Sequence, residues 1–450
     1  MGLEEVELTM APVWDREGQS TRLLKASEAI ARILALAIAV DRRETVPLNL
    51  AAGRVLAEAV RSRLDFPHWD NSAMDGYGIR AADVAAARPE QPVALEVIEE
   101  IPAGRAPMRS LGPGQAVRIY TGAMLPEGAD AIAIQEEVTV LPDGRVAIPT
   151  AIAPDTFVRK KGAFGRSGDE ILAAGTRLGP AEVALLAAAQ CAQVTVFRKP
   201  RVGILSTGDE LVSVDEPSLK PGQIVDSNRY ALEAFIQQMG GEAIALGIIP
   251  DDREVLKQAM ERAIATADLV LSTGGVSVGT YDYVETLLGD LGAAIAIRSV
   301  AVKPGKPLTV ATVPKAADRE NAQNSGNPCL YFGLPGNPAS ALVGCWRFVA
   351  PALRQMAGET VNPEAGRLRC IAAAMLPGAG QREAYLWGRI ALRDGQYHFI
   401  PAPGGHNSGN LVNLVGTTAL AIVPVGAGAI AAGDPVEVMV LGAGLAGLSA

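Results

Sequence analysis

Asp70-Asn-Ser-Ala-Met-Asp-Gly-Tyr77 sets two carboxylates, an amide and a hydroxyl side by side. Leu64-Asp-Phe-Pro67 precedes it and Gly76 lies inside it, so the segment reads as a surface turn. Such a turn can hold a cation or aim a carboxylate at a substrate. A second polar loop, Tyr120-Thr-Gly-Ala-Met-Leu-Pro-Glu-Gly-Ala-Asp130, offers Thr121 and Asp130. Two further turns follow short apolar runs. Val202–Leu205 leads into Ser206-Thr-Gly-Asp-Glu210, and Leu269–Leu271 leads into Ser272-Thr-Gly-Gly-Val-Ser-Val-Gly279, with Asp282 just beyond. Backbone N–H groups of such glycine-rich turns can approach a phosphate closely. One loop of this kind is as readily a plain chain reversal. Two at equivalent strand ends, each trailing a carboxylate, favour a ligand.

Val302-Lys-Pro-Gly-Lys-Pro307 holds Lys303 and Lys306 in a turn stiffened by proline. Two cations so close repel unless an anion lies between them. Leu334-Pro-Gly-Asn-Pro338 leads into a helix expected from Ala339 to Met356, with Asn337 near the cap and Ser340 in the first turn. That N-terminus is a ready anion site. The residue types together point to a phosphorylated ligand handled through a metal ion.

The elements that must position these turns change along the chain. A helix is expected from a cap at Ser27 to Val40, then a short helical piece at Leu50–Val60. From Leu64 to Pro149 short runs (Ala94–Ile98, Ala116–Ile119, Ala131–Gln135, Arg145–Ile148) alternate with Pro/Gly turns, a β-rich pattern. From Arg201 to Met356 strands Val202–Leu205, Ala243–Ile248, Leu269–Ser272 and Ser299–Val302 alternate with helices. Asp251 is read as the cap of a helix to Ala267, with Val255, Ala259 and Ala263 on one stripe. This alternation implies a mostly parallel, doubly wound sheet whose ligands bind at the carboxyl ends of its strands. Short strands return from Arg367 to Val440.

The 450 residues fit about three domains. With aromatics at 4% and a net charge of −9, stacking platforms and an electrostatic grip on nucleic acid or acidic membrane are not expected. Cys191, Cys329, Cys345 and Cys370 form no CxxC pair, which fits a reducing compartment. The apolar run Ala29–Val40 carries Arg32 and falls short of the roughly 20 residues a membrane span needs, so it reads as a buried helix of a cytoplasmic protein. Gly442, Gly444 and Gly447 spell GxGxxG, but too little chain follows for the helix and strand of a dinucleotide fold. His68, His398 and His406 have no metal-ligand spacing.

In order, DNSAMDGY, TGAMLPEGAD, STGDEL, DSNR, STGGVSVG, VKPGKP and LPGNP resemble the motifs of the molybdopterin molybdenumtransferase (MoeA) family, which includes the C-terminal domain of gephyrin. The resemblance runs from Ser27 to Pro435. It implies cleavage of adenylated molybdopterin with a divalent metal such as Mg2+, insertion of molybdate, and release of AMP and molybdenum cofactor. It also implies a multidomain α/β and β chain. A helical linker domain (21–62 with 150–198) and a β-rich module (63–149) would be followed by the α/β molybdopterin-binding domain (199–356). A small barrel-like C-terminal β domain (357–450) would close the chain. The expected assembly is an elongated homodimer whose site lies where the α/β domain of one subunit faces the DNSAMDGY module of the other. The adenylyltransferase that supplies the substrate and molybdoenzyme maturation proteins would be its partners.

Carried over motif by motif, Asp75, Thr121, Glu210, Asp251, Asp282 and Lys303 would be catalytic, with Asp75, Glu210 and Asp282 as candidate metal ligands. Ser206, Thr207, Gly208, Gly274, Gly275, Ser277, Gly279, Lys306, Pro335, Gly336, Asn337, Ser340 and Ser408 would bind substrate. Asp169 matches an aspartate of the basic linker. Three positions depart from the family pattern: Ser299 for a lysine, Thr280 for an acid, and Trp387 for an arginine, with Arg389 two residues on. Other readings are an adenylyltransferase, a gephyrin-like scaffold, or a tungsten-handling version.

Overall fold

The computed structural model describes residues 23–274, 283–315, 327–360, 362 and 366–441. They divide into two compact units, one of residues 43–197 and one of the chain on either side of them.

The unit 43–197 is built on a six-stranded sheet. Its order is Ala131–Ile134, Gly76–Ile79, Gln115–Ile119, Val93–Ile101, Val146–Ile148 and Thr139–Val140. Gly76–Ile79 lies inside the sheet, antiparallel to both neighbours, and is buried throughout. Gly76 cannot be replaced without disruption, because a Cβ there would lie 2.1 Å from the Ala133 carbonyl oxygen. Asp75 therefore stands at the head of a rigid strand.

Smaller pairings complete this unit: Arg43–Pro47 with Gln193–Phe197, Val60–Arg61 with Glu170–Leu172, and Asn71–Ser72 with Val158–Arg159. Its α-helix is Pro180–Ala188. The helix expected over Leu50–Val60 is not formed. A 3-10 turn at Leu48–Leu50 gives way to extended chain, whose backbone pairs with a distant segment. The Leu56 N–H donates to Thr176 at 2.9 Å and the Leu178 N–H to Arg54 at 2.8 Å. Pairing of this kind outcompetes an i to i−4 ladder interrupted by Gly53.

In the other unit the sheet order is Glu242–Ile249, Arg201–Thr207, Leu269–Thr273, Cys329–Leu334, Pro307–Val313 and Ala294–Ser299. The first four strands are parallel and the last two antiparallel. Alternate side chains fill opposite faces. Ile204, Leu271 and Phe332 pack with helices Ser227–Gln238 and Pro338–Gly344, while Leu205, Val270 and Tyr331 pack with helix Arg253–Thr266. This is the doubly wound arrangement expected. The first helix is Ala26–Leu36, starting after Lys25 without a side-chain cap, rather than Ser27–Val40. Its buried residues Ala26, Ala29, Ile30 and Ile33 keep helical spacing.

Five strands close into a barrel: Arg367–Ala372, Glu383–Arg393, Gln396–Pro401, Ala419–Val423 and Pro435–Val440. The closing pair is Glu383–Arg393 with Ala419–Val423. A short strand, Val302–Lys303, adds in parallel onto Glu383 and Ala384. The single strand expected over Ser299–Val302 is thus divided: Ser299 ends a strand of the α/β sheet, whereas Val302 starts one that joins the barrel. No described helix is long and apolar enough to cross a membrane. Residues 442–450 of the GxGxxG tail lie outside the described residues.

Candidate active site

In the unit 43–197, Asp75 is held by Thr121. The Thr121 N–H donates to Asp75 Oδ1 at 2.8 Å and the Thr121 hydroxyl to the same oxygen at 2.7 Å. Those two bonds, backbone first, hold the carboxyl below its ordinary value, and the Arg118 charge adds to them. Arg118 lies over the rings of Tyr77 and Tyr120 at 4.9 and 5.2 Å. The two polar turns read from the sequence are therefore one structure. The other polar groups of that turn have internal roles. Asp70 pairs with Lys160 at 3.1 Å and accepts the Lys161 N–H at 2.8 Å. Asn71 and Ser72 are buried. Asp130 accepts the Ala81 N–H at 2.7 Å, and Asp169 accepts the Arg166 N–H at 2.7 Å.

In the α/β unit the carboxyl ends of the parallel strands crowd together. A Cβ on Gly274 would meet the Thr207 carbonyl oxygen at 2.4 Å, and one on Gly336 would lie 3.7 Å from Gly274. Three strand ends thus converge on glycines, the floor an anion needs. The side-chain amide of Asn228 donates to the Gly336 carbonyl at 2.8 Å. Ser206 and Ser272 are buried, and their hydroxyls have no partner among the described residues. Gly275, Ser277, Gly279, Thr280 and Asp282 lie outside the described residues.

A carboxylate group stands at the same edge. Gly208 has φ +149, and a Cβ there would strike the Glu210 carboxylate at 2.5 Å, so Glu210 folds back over the turn. The Asp251 N–H donates to Asp209 Oδ1 at 3.0 Å. Burial pushes the Asp251 carboxyl up, and the charges of Asp209 and then Glu210 push it further. The helix cap expected at Asp251 is in fact Asp252, whose side chain accepts the N–H groups of Glu254 and Val255 at 3.0 Å each. Asp251 is thereby left outside the helix and beside the other two acids. The buried stripe of that helix is correspondingly Leu256, Ala259, Met260, Ala263 and Ile264, with Val255 exposed. Asp209, which adjoins Glu210 in the same turn, is a member of this group that the set of residues expected from the sequence does not contain.

The lysine turn and the proline turn meet in this unit as well. Gly305 packs against the Ser340 carbonyl, with 3.5 Å left for a Cβ. Asn337 is the N-cap residue, and its side-chain amide donates to Ser408 Oγ at 3.2 Å. The Ala339 N–H donates to the Ser408 carbonyl at 3.0 Å. Ser340 itself is buried. Lys303 and Lys306 are exposed. Lys303, Pro304, Met375, Tyr385, Leu386 and His406 line a cavity of about 310 Å3. Its His406 ring meets Trp387 edge-on at 4.5 Å, and burial lowers the imidazole to about 4, so it is neutral at physiological pH. His406 Nδ1 and Trp387 Nε1 are both buried without a partner among the described residues.

Three family profiles match the chain: "MoeA N-terminal region (domain I and II)" over residues 24–189, "Probable molybdopterin binding domain" over 203–355, and "MoeA C-terminal region (domain IV)" over 369–441. A protein of Nostoc sp. named molybdopterin molybdenumtransferase is 51% identical over 398 residues, covering 88% of each chain. The chain belongs to the molybdopterin molybdenumtransferase (MoeA) family. Another member, from Haemophilus influenzae, is 38% identical over 70% of this chain and 74% of its own. Among solved structures, the molybdopterin biosynthesis moeA protein of Pyrococcus horikoshii OT3 matches with TM-score 0.77 and 30% identity, over 93% of this chain and 100% of that one. These MoeA relatives span both units, so the resemblance extends well beyond the α/β fold.

Proposed function

We propose that this chain is a transferase that inserts molybdate into adenylated molybdopterin, hydrolysing the adenylate and releasing AMP and molybdenum cofactor. The observation that carries this reading is the glycine floor of Thr207, Gly274 and Gly336 beside the acids Asp209, Glu210 and Asp251. Glycine-bearing turns at the carboxyl ends of parallel strands suit phosphate, and the adjoining acids suit a hard cation.

Like charges this close, one of them destabilised by the others, fit a divalent cation. Among the described residues no three His, Cys, Asp or Glu side chains are placed to hold a metal unaided. Mg2+ characteristically shares its coordination with substrate phosphates, so Glu210, Asp209 and Asp251 are its proposed protein ligands, with Asp75 and Asp282 as further candidates. When bound, Mg2+ would neutralise charge on the phosphoanhydride.

The protein's own groups do the rest. Lys303 and Lys306 neutralise anionic substrate, while the turns at Ser206–Gly208 and Pro335–Asn337 orient it, with Ser408 fixing the second of these through Asn337. Asp75, kept ionised by Thr121, orients or deprotonates the attacking group. Positioning and charge stabilisation need no covalent nucleophile here. We further propose a cytoplasmic homodimer whose chain follows the four-part division 21–62 with 150–198, 63–149, 199–356 and 357–450. It would receive its substrate from the adenylyltransferase and pass cofactor to molybdoenzyme maturation proteins.

Purified protein given adenylated molybdopterin, Mg2+ and molybdate should form AMP and molybdenum cofactor together. Consumption of ATP with unmodified molybdopterin instead would assign it to the adenylyltransferase step. No AMP from any combination would overturn the reading.

A further inference from the structure

The helix that begins at Pro338 is not regular. Its middle, Cys345–Val349, is a π turn between α-helices Pro338–Gly344 and Ala350–Met356. Such bulges are frequent at functional sites because they redirect a side chain. Here the π turn carries Arg347, which is only 2% exposed. Its Nε donates to the Tyr385 hydroxyl at 2.7 Å. The Tyr385 hydroxyl in turn donates to Glu383 Oε1. Burial raises the Tyr385 hydroxyl well above its ordinary value, so it stays protonated and can donate. The bonds run in one direction, from guanidinium through phenol to carboxylate.

Glu383 is where the barrel grips the lysine turn. Its N–H donates to the Ala301 carbonyl at 2.8 Å, and Glu383 and Ala384 pair with Val302 and Lys303. Arg382 reaches the Val302 carbonyl at 3.5 Å. Tyr385 and Lys303 line the same cavity. A buried charge seldom persists unless its partners are fixed, since leaving it unpaired is strongly destabilising. The relay therefore holds one register of Glu383, and with it one position of the strand that ends in Lys303.

We propose that Tyr385 is a positioning residue: through Arg347 and Glu383 it sets the lysine turn so that Lys303 meets substrate anion. The proposal rests on the reading of Lys303 as an anion ligand, and the test separates the two. Full-length protein is compared as wild type, Lys303→Ala, Tyr385→Phe and the double variant, with KM for molybdate and for adenylated molybdopterin measured apart from kcat. Lys303→Ala should raise one of these KM values. Tyr385→Phe keeps the ring and removes only the hydroxyl. It should raise the same KM about 3- to 10-fold, the scale of one ordinary hydrogen bond lost, with kcat within about twofold. In the double variant it should add nothing to Lys303→Ala. A Tyr385→Phe protein with a lowered Tm and reduced kcat but unchanged KM would show a merely structural tyrosine and overturn the proposal. No effect of Lys303→Ala on either KM would instead remove the anion-ligand reading. Should Tyr385→Phe fail to fold, Glu383→Gln, which leaves the hydroxyl an uncharged acceptor, is read by the same criteria.

Discussion

Asp75 and Asp251 are the same amino acid in opposite electrostatic settings. Asp75 has its charge satisfied within the protein, by an N–H and a hydroxyl of Thr121 on one oxygen. Asp251 faces two other acids, Asp209 and Glu210, and among the described residues no lysine or arginine pairs with it. One carboxylate is preorganised as an anion; the other is destabilised as an anion by burial and by its acidic neighbours, which protonation or a bound cation would relieve. The contrast divides the proposed chemistry: a fixed anionic group beside a hydroxyl on one hand, and a cluster of mutually repelling acids, the proposed cation site, on the other.

The largest effect that can break this contrast is removal of the fixed charge. Asp75→Asn should lower turnover by about 10²- to 10⁴-fold, the range of a positioned acid–base or electrostatic group, with little change in Tm. Steady-state AMP release checks it, and near-normal turnover would take Asp75 out of the mechanism. Next in size, Lys306→Ala should weaken substrate capture about tenfold, read as KM against an unchanged Tm.

A sharper test of the Asp75 setting is Thr121→Val. It removes one of two donors, so the carboxyl should rise toward its ordinary 3.8. The acid limb of the kcat/KM profile should then move to higher pH. For stability the sign follows from the lowered folded value: the Asp75 contribution is present above 3.8 and is lost as pH falls through that lowered value.

Asp251 runs the other way and gives the smallest effect. Its folded value lies above the ordinary 3.8, so its contribution to stability is full below 3.8 and is lost as pH rises through the raised value. At neutral pH its charge is a liability in metal-free protein. Asp251→Asn should therefore raise the metal-free Tm by about 2 °C, and added Mg2+ should stabilise the variant less than wild type. Thermal scans with and without EDTA decide it. A fall in the metal-free Tm would mean that the three acids do not repel.

Much of this was legible from the residues because glycine and proline punctuate the strands at the turns that matter. Gly208, Gly274 and Gly336 stand where backbone must approach backbone. The strands expected before the first two, Val202–Leu205 and Leu269–Ser272, agree with Arg201–Thr207 and Leu269–Thr273 to within two residues at each end, whereas Cys329–Leu334, before Gly336, is not among the strands expected from the sequence. What escaped notice depended on neighbours distant in sequence. Leu50–Val60 has helical apolar spacing, but the N–H groups of Gly53, Leu56 and Ala57 donate to the distant carbonyls of Leu178, Thr176 and Thr195. Either Asp251 or Asp252 could cap the following helix. The choice of Asp252 leaves Asp251 with the other acids, and only then does Asp209 gain significance. Arg347, Tyr385 and Glu383 carried no sequence signal, since a π turn and a barrel strand had to bring them together.

The strand Val302–Lys303 has a consequence for dissecting the molecule. It lies in sequence between two strands of the α/β sheet, yet its hydrogen bonds go to the barrel. The two substructures are therefore stitched together by a loan of backbone, and ending the chain near residue 357 would leave the lysine turn with its ladder partner gone. A shortened α/β fragment should still fold around its own sheet but grip anions poorly, because the segment bearing Lys303 would have nothing to lie against.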